Sequence, residues 1–152
     1  MSVAPGDAAP DFTLSDHCGS RVSLADFSGG RLLVYFYPRA FTPGCTTESC
    51  DFRDRHEAFA AAGYRIVGIS PDPVEDLARF RDEHGLPFPL LSDPDHRVAA
   101  AYGAWGLKKQ YGREFEGMIR STFAIGPDGT VEKAWRNVRA KGHAGRVEGD
   151  LT

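Results

Sequence analysis

The run RLLVYFY, residues 31–37, is almost unbroken apolar sequence with β-prone residues. That pattern predicts a strand buried on both faces, ended by Pro38. YRIVGIS, residues 64–70, is a second such run, and PLLS, residues 89–92, a shorter one. Near the N-terminus, DFTL and RVSL flank the turn SDHCGS and predict a hairpin over residues 11–24. Between the buried strands the period lengthens. From Thr46 to Ala62, Phe52 and Phe59 recur among alanines and charges, which predicts a helix stopped by Gly63. DPVEDLARFRDEHG predicts a helix capped by Asp72, with Pro73 in its first turn and Gly85 at its end. DPDHRVAAAYG predicts another capped helix, and STFAIGPDGTVEKAWRNV a hairpin turning at PDGT. The stretch from Lys141 is weakly helical. AWGLKKQYGREFEGM, residues 104–118, has no readable period and is expected to form a rim over whatever site the fold presents.

Strands alternating with helices predict an α/β fold, a sheet covered on both sides. Chemistry in such folds gathers at the carboxyl ends of the strands. The 152 residues read as one domain spanning residues 1–152, without repeat or linker. A hydrophobic fraction of 41% and a net charge of −3 with mixed signs fit a globular chain and give no nucleic-acid footprint. No apolar run has the length of a membrane span, and MSVAPGDAAPDF lacks a signal peptide's basic and apolar regions. The chain therefore reads as cytoplasmic. Three cysteines are too few for a secreted disulfide framework.

Two of those cysteines, Cys45 and Cys50, lie just past the strand RLLVYFY. A zinc site needs four ligands. Cys18 is remote, and His17, His56, His84, His96 and His143 fall in no ligand spacing, so no metal is expected. TPGCTTES places Cys45 where a helix begins, and a helix N-terminus favours the nucleophilic thiolate. Residues five apart on a helix are turned by roughly 140° and have Cα atoms about 8.6 Å apart. A disulfide needs less than about 7 Å. A wound helix would therefore keep the pair apart. That suits a two-step chemistry, in which Cys45 is oxidised to sulfenic acid and Cys50 then condenses with it. For a peroxide as electrophile, the site needs donors for two oxygens and a cation by the sulfur. Thr42 offers a hydroxyl, Gly44 and Cys45 offer backbone N–H groups, and Pro38 shields the sulfur from water. Arg120, just ahead of a strand, is the best candidate cation, in competition with Arg39, Arg53 and Arg136.

YPRAFTPGCTTESC resembles the active-site segment of the peroxiredoxins, P-x3-T-x2-C. Its C-x4-C spacing with TPGCT resembles the bacterioferritin comigratory protein subgroup, also called peroxiredoxin Q. GDAAPDFTL, VGISPDP, FPLLSDPD and YGREFEGMIRSTFAIGPDG, with a late W and GH, extend the resemblance over most of the chain. It implies a thioredoxin-like fold with a central mixed β-sheet flanked by helices and an N-terminal β-hairpin. It implies Cys45 as the peroxidatic and Cys50 as the resolving cysteine, with Pro38, Thr42 and Arg120 completing the site and Glu48 organising nearby arginines. Hydrogen peroxide and organic hydroperoxides are the implied substrates, and thioredoxin or a similar dithiol the reductant, with no metal, haem or flavin. In-chain resolution favours a monomer. Three features depart from the pattern: Gly126 where relatives often carry aspartate, the bystander Cys18, and the short, glycine-bearing GHAGRVEGDLT. Two other functions stand beside this one. A general thiol–disulfide oxidoreductase would share the fold but needs neither the C-x4-C spacing nor the Thr42–Arg120 pair. A redox-switched chaperone-like binder would use AFAAAGY and Phe41.

Overall fold

The computed structural model describes residues 3–110 and 112–151. The run at 31–37 forms β3 (Arg31–Phe36), and YRIVGIS forms β4 (Tyr64–Ser70). They pair in parallel from Arg31 with Tyr64 to Phe36 with Ile69. β5 (Leu90–Ser92) continues the parallel set beside β4. β8 (Ser121–Ile125) and β9 (Val131–Trp135) form the late hairpin, and β8 runs antiparallel to β3. The early hairpin, β1 (Thr13–Asp16) and β2 (Arg21–Ser23), joins through β1 to β5. The result is a mixed seven-stranded sheet in the order β2-β1-β5-β4-β3-β8-β9.

Alternation along β3 divides the core. Leu32, Val34 and Phe36 join Val67, Ile69, Phe123 and Ile125 on one face. Leu33, Tyr35 and Tyr37 join Ile66, Phe52, Phe59, Leu77 and Phe80 on the other. The second face is covered by α1 (Pro43–Asp54), α2 (His56–Ala61), α3 (Val74–His84) and α5 (His143–Leu151). On the first lie α4 (Arg97–Ala101) and the chain ahead of β1.

Four local expectations change. The helix expected from Thr46 starts at Pro43 and breaks at Arg55, whose φ of −105° and ψ of 7° leave the helical region. Asp72 does not cap α3. Pro73 takes that position in extended backbone, and the buried Asp72 carboxylate accepts from the Ala40 N–H and the Ser70 hydroxyl, each at 2.7 Å. A tertiary role tying two loops together has displaced the local one. The helix at 93–103 shortens to α4, and the Asp93 carboxylate receives the N–H groups of Val98 and Ala99 from outside the helix. The stretch 104–118 is a β-hairpin of its own, β6 (Trp105–Gln110) paired with β7 (Arg113–Met118).

At the sheet centre, Gly68 lets the Tyr35 ring lie against β4. A Cβ at Gly68 would stand 2.8 Å from Tyr35 Cζ and 3.0 Å from Leu90 Cδ2. The Tyr35 hydroxyl is tied to Ser49 Oγ at 2.9 Å, so the ring has little freedom to move aside. Gly68→Ala should therefore destabilise the protein by about 1–3 kcal/mol, as overpacking does. Thermal melting would check this, and an unchanged Tm would mean that the ring yields.

Candidate active site

The site is built where β3 ends. Tyr37 N–H still bonds Ile69 O at 3.1 Å, and Pro38 then releases the chain from the sheet. Phe41 turns it back with a φ of +68°, a left-handed backbone that costs a side-chain-bearing residue on the order of 1 kcal/mol. Two supports over-determine the turn. Asp72 holds Ala40, and Phe41 packs edge-on against Phe80 with the Arg79 guanidinium over its ring. Thr42 is the N-cap residue and Pro43 the first helical residue, so Cys45 falls in the first turn of α1.

Cys45 is 1% exposed and packs in the core cluster with Tyr35, Tyr37 and Phe52. Arg120 Nη2 donates to its sulfur at 3.4 Å. Nη1 of the same guanidinium donates to Glu48 Oε1 at 2.6 Å. Gly44 makes room for this, since a Cβ there would meet Arg120 Nη2 at 3.3 Å. Burial alone would lower the Arg120 pKa, but Glu48 and Cys45 outweigh it and hold the guanidinium charged. The competing arginines are placed elsewhere. Arg53 bonds the His84 carbonyl, Arg136 the Gly103 carbonyl, and Arg39 is exposed.

Thr42 supplies no side-chain cap; its hydroxyl donates to Arg39 O at 2.8 Å. The hydroxyl proton is thus engaged, and what Thr42 offers the site is an acceptor oxygen. Pro38 is half-buried at the strand exit. Cys50 lies on the same unbroken helix, and all three cysteines are free. Burial raises the Cys50 pKa, Arg53 opposes it, and Asp54 and Asp51 add to the rise. The resolving candidate is thus held as a thiol while α1 is wound.

Behind Glu48 lies a buried group that the sequence did not mark. His143 Nε2 is 2.7 Å from Thr122 Oγ1 and 4.0 Å from Glu48 Oε2, and Oε2 has no hydrogen-bond partner among the described residues. Burial pushes the Glu48 carboxyl up to about 7, against the pull of Arg120. Burial pushes His143 down to about 4, with Arg120 and Arg146 adding to it. The only trace in sequence is the GH pair, which carries no spacing to Cys45. Among the described residues, no group of three or more His, Cys, Asp or Glu is placed to hold a metal ion, and no helix is long and apolar enough to cross a membrane.

Comparison with known proteins agrees with this geometry. Residues 5–134 match the AhpC/TSA family. The chain belongs to that family. A putative peroxiredoxin of Mycobacterium tuberculosis is 55% identical over 99% of this chain and 96% of its own. Peroxiredoxin Bcp of Bacillus subtilis is 47% identical over 94% of this chain and 91% of its own. Among solved structures, peroxiredoxin Q of Xanthomonas campestris superposes with a TM-score of 0.88 at 38% identity, over 99% of this chain and 95% of that one. A structure of the X. campestris bacterioferritin comigratory protein, determined to explain that protein's alkyl peroxide reduction, gives the same TM-score at 37% identity, over 99% of this chain and 96% of that one. The peroxiredoxin fold expected from the motif, a mixed sheet flanked by helices with an N-terminal hairpin, is the one observed.

In this peroxiredoxin, Glu48 and His143 oppose each other in the pH dependence of stability. With its folded pKa raised from 4.5 to about 7, Glu48 binds more proton folded than unfolded, so its contribution falls as pH rises through that window. With its folded pKa lowered from 6.5 to about 4, His143 contributes stability that grows as pH rises from about 4 to 6.5. Each has a limiting slope of about 1.4 kcal/mol per pH unit. Glu48→Gln should remove one side of the balance, so that stability relative to wild type climbs between pH 4.5 and 7. Urea unfolding at several pH values tests this; parallel curves for the two proteins would refute it.

Proposed function

We propose that this chain is a thiol peroxidase that reduces hydrogen peroxide and organic hydroperoxides through Cys45, with Cys50 as its in-chain resolving partner. One observation carries the reading: the Arg120 guanidinium bonds the Cys45 sulfur with one nitrogen and the buried Glu48 with the other. A cation fixed in this way stabilises a thiolate and the charge that develops as an O–O bond breaks. The X. campestris relative's alkyl peroxide reduction supports the substrate class.

In the first step the Cys45 thiolate attacks the terminal oxygen of the hydroperoxide. The S–O bond forms as the O–O bond breaks, giving Cys45 sulfenic acid and an alkoxide or hydroxide, which takes up a proton to become an alcohol or water. Arg120 and the N–H groups of Gly44 and Cys45 are the donors at hand. Thr42, its own proton given to Arg39 O, accepts from the hydroperoxide O–H. In the second step the Cys50 thiol condenses with the sulfenic acid, forming a disulfide and releasing water. On wound α1 the two Cα atoms stand about 8.6 Å apart, beyond bridging range. The turn holding Glu48 and Ser49 must therefore open. The opened segment presents the disulfide to thioredoxin or a similar dithiol. Both cysteines belong to one chain, so a monomer suffices, and we read the enzyme as cytoplasmic, where a dithiol reductant is at hand.

Peroxide-dependent NADPH oxidation, coupled through thioredoxin and its reductase, tests the scheme. Cys45→Ser should abolish turnover. Cys50→Ser should form the sulfenic acid once per chain and then stall. Full thioredoxin-linked activity in Cys45→Ser would overturn the reading.

A further inference from the structure

Among the described residues, the β6–β7 hairpin carries a cation that pairs with no acidic residue. Lys109 pairs with Glu114 at 3.5 Å, whereas Lys108, opposite Phe115, makes no hydrogen bond or ion pair among the described residues. Its position follows from two glycines. Gly106 and Gly117 face each other across the hairpin, two residues before Lys108 and two after Phe115 respectively, so all four positions share one face. Glu114 and Glu116 lie on the other face. Without a side chain at Gly117, the Lys108 stem lies down across the backbone, and a Cβ there would stand 3.2 Å from Lys108 Cδ. At Gly106, likewise, a Cβ would stand 3.3 Å from Cδ1 of Ile119, the residue before Arg120. Ile119 N–H bonds Ala104 O at 2.7 Å. The base of the hairpin is therefore fixed to the segment that carries Arg120.

Lys108 is half-buried, and the charged groups acting on its ammonium are Arg120 and Cys45. Lys108 and Arg120 carry like charges, and an anion near both relieves their repulsion. Glu48 is engaged by Arg120 Nη1. The negative charge left for Lys108 is that of the thiolate, or that of the oxygen expelled from a peroxide.

We propose that Lys108 is a catalytic residue of the peroxide step, whose ammonium donates a proton to the leaving oxygen as the O–O bond breaks. The assignment rests on the peroxidase reading above. The Cys45 thiolate bonds to the terminal oxygen of RO–OH and is oxidised by two electrons to the sulfenic acid. The O–O pair leaves on RO⁻, which takes the proton from Lys108 Nζ to become ROH. The neutral amine then regains a proton from water. Burial, reinforced by Arg120 and only partly opposed by Cys45, lowers the ammonium below the ordinary lysine range and makes it a readier acid.

Lys108→Met keeps the stem over Gly117 and removes the charge; Lys108→Arg keeps the charge. Two readouts in the Cys50→Ser background decide the matter: the rate constant for sulfenic acid formation across pH, and the ratio of Cys45 alkylation by anionic iodoacetate to that by neutral iodoacetamide. Lys108→Met should slow sulfenic acid formation about tenfold or more and lower the reagent ratio. Lys108→Arg should restore the ratio and move the alkaline fall of the rate to higher pH. Wild-type values of both readouts in Lys108→Met would overturn the proposal. So would a lower ratio with an unchanged rate, which leaves a cation without a part in the reaction. A slower rate with an unchanged ratio would make Lys108 merely structural. Failure of the unaltered enzyme to react with peroxide would sink the peroxidase reading itself, and the ratio would still report whether Lys108 acts on Cys45.

Discussion

The site depends on one fork. Arg120 spans from Glu48, at 2.6 Å, to the Cys45 sulfur, at 3.4 Å, and both partners are buried. A charge placed there without its counter-charge costs several kcal/mol, so neither Arg120 nor Glu48 is stable in that position alone. The planar guanidinium answers the carboxylate with one nitrogen and keeps the other aimed at sulfur. β8 supplies the rigidity. Arg120 directly precedes it, and the pairing of β8 with β3 fixes where the arginine starts relative to the end of the strand that delivers Cys45.

In the proposed scheme the same fork would set the difficulty of the second step. Glu48 lies between the two cysteines, three residues after Cys45 and two before Cys50. Unwinding that turn removes Glu48 from Arg120 and Ser49 from the Tyr35 hydroxyl, both buried interactions. In that scheme, a Cys45 thiolate holds Arg120 at Nη2 while Glu48 holds Nη1, and a neutral sulfenic acid would weaken the first attraction. Oxidation would then loosen the turn that keeps Cys50 away. A disulfide formed at the expense of those contacts would be one that an external dithiol reduces readily.

Much of this was legible in the chain. The central strands declare themselves as apolar runs because both of their faces are covered, and TPGCT marks the helix start because proline and a small residue suit that turn. What escaped was whatever tertiary contact decides. Asp72 reads as a cap from its neighbours, yet a loop more than thirty residues away in sequence claims its carboxylate. Arg120 could be named only among four arginines, since sequence spacing says nothing of which one reaches the sulfur. The β6–β7 hairpin was unreadable for a different reason. Met118 at its base is buried, but Leu107 is 69% and Phe115 41% exposed, and glycines sit beside Lys108.

The C-terminal segment shows how a sequence poor in apolar residues can still close a core. α5 buries only His143, Ala144 and Val147. Its glycines look like a weakness, since each costs about 1 kcal/mol in a helix interior. Gly145, however, is where the Arg55 side chain crosses the helix, its Nη2 only 3.0 Å from where a Cβ would stand, on its way to Glu148 at 3.1 Å. Trp135 and Lys133 hold the far end of α5 through Asp150. His143 then packs edge-on against Phe52 and over the open side of Glu48. A short, polar helix anchored by side-chain bonds thus does what a longer apolar one would do by burial. It excludes water from the Glu48 carboxyl, which disfavours the ionised form but, wherever that form is present, strengthens its hold on Arg120 and so on the cation's place at the sulfur.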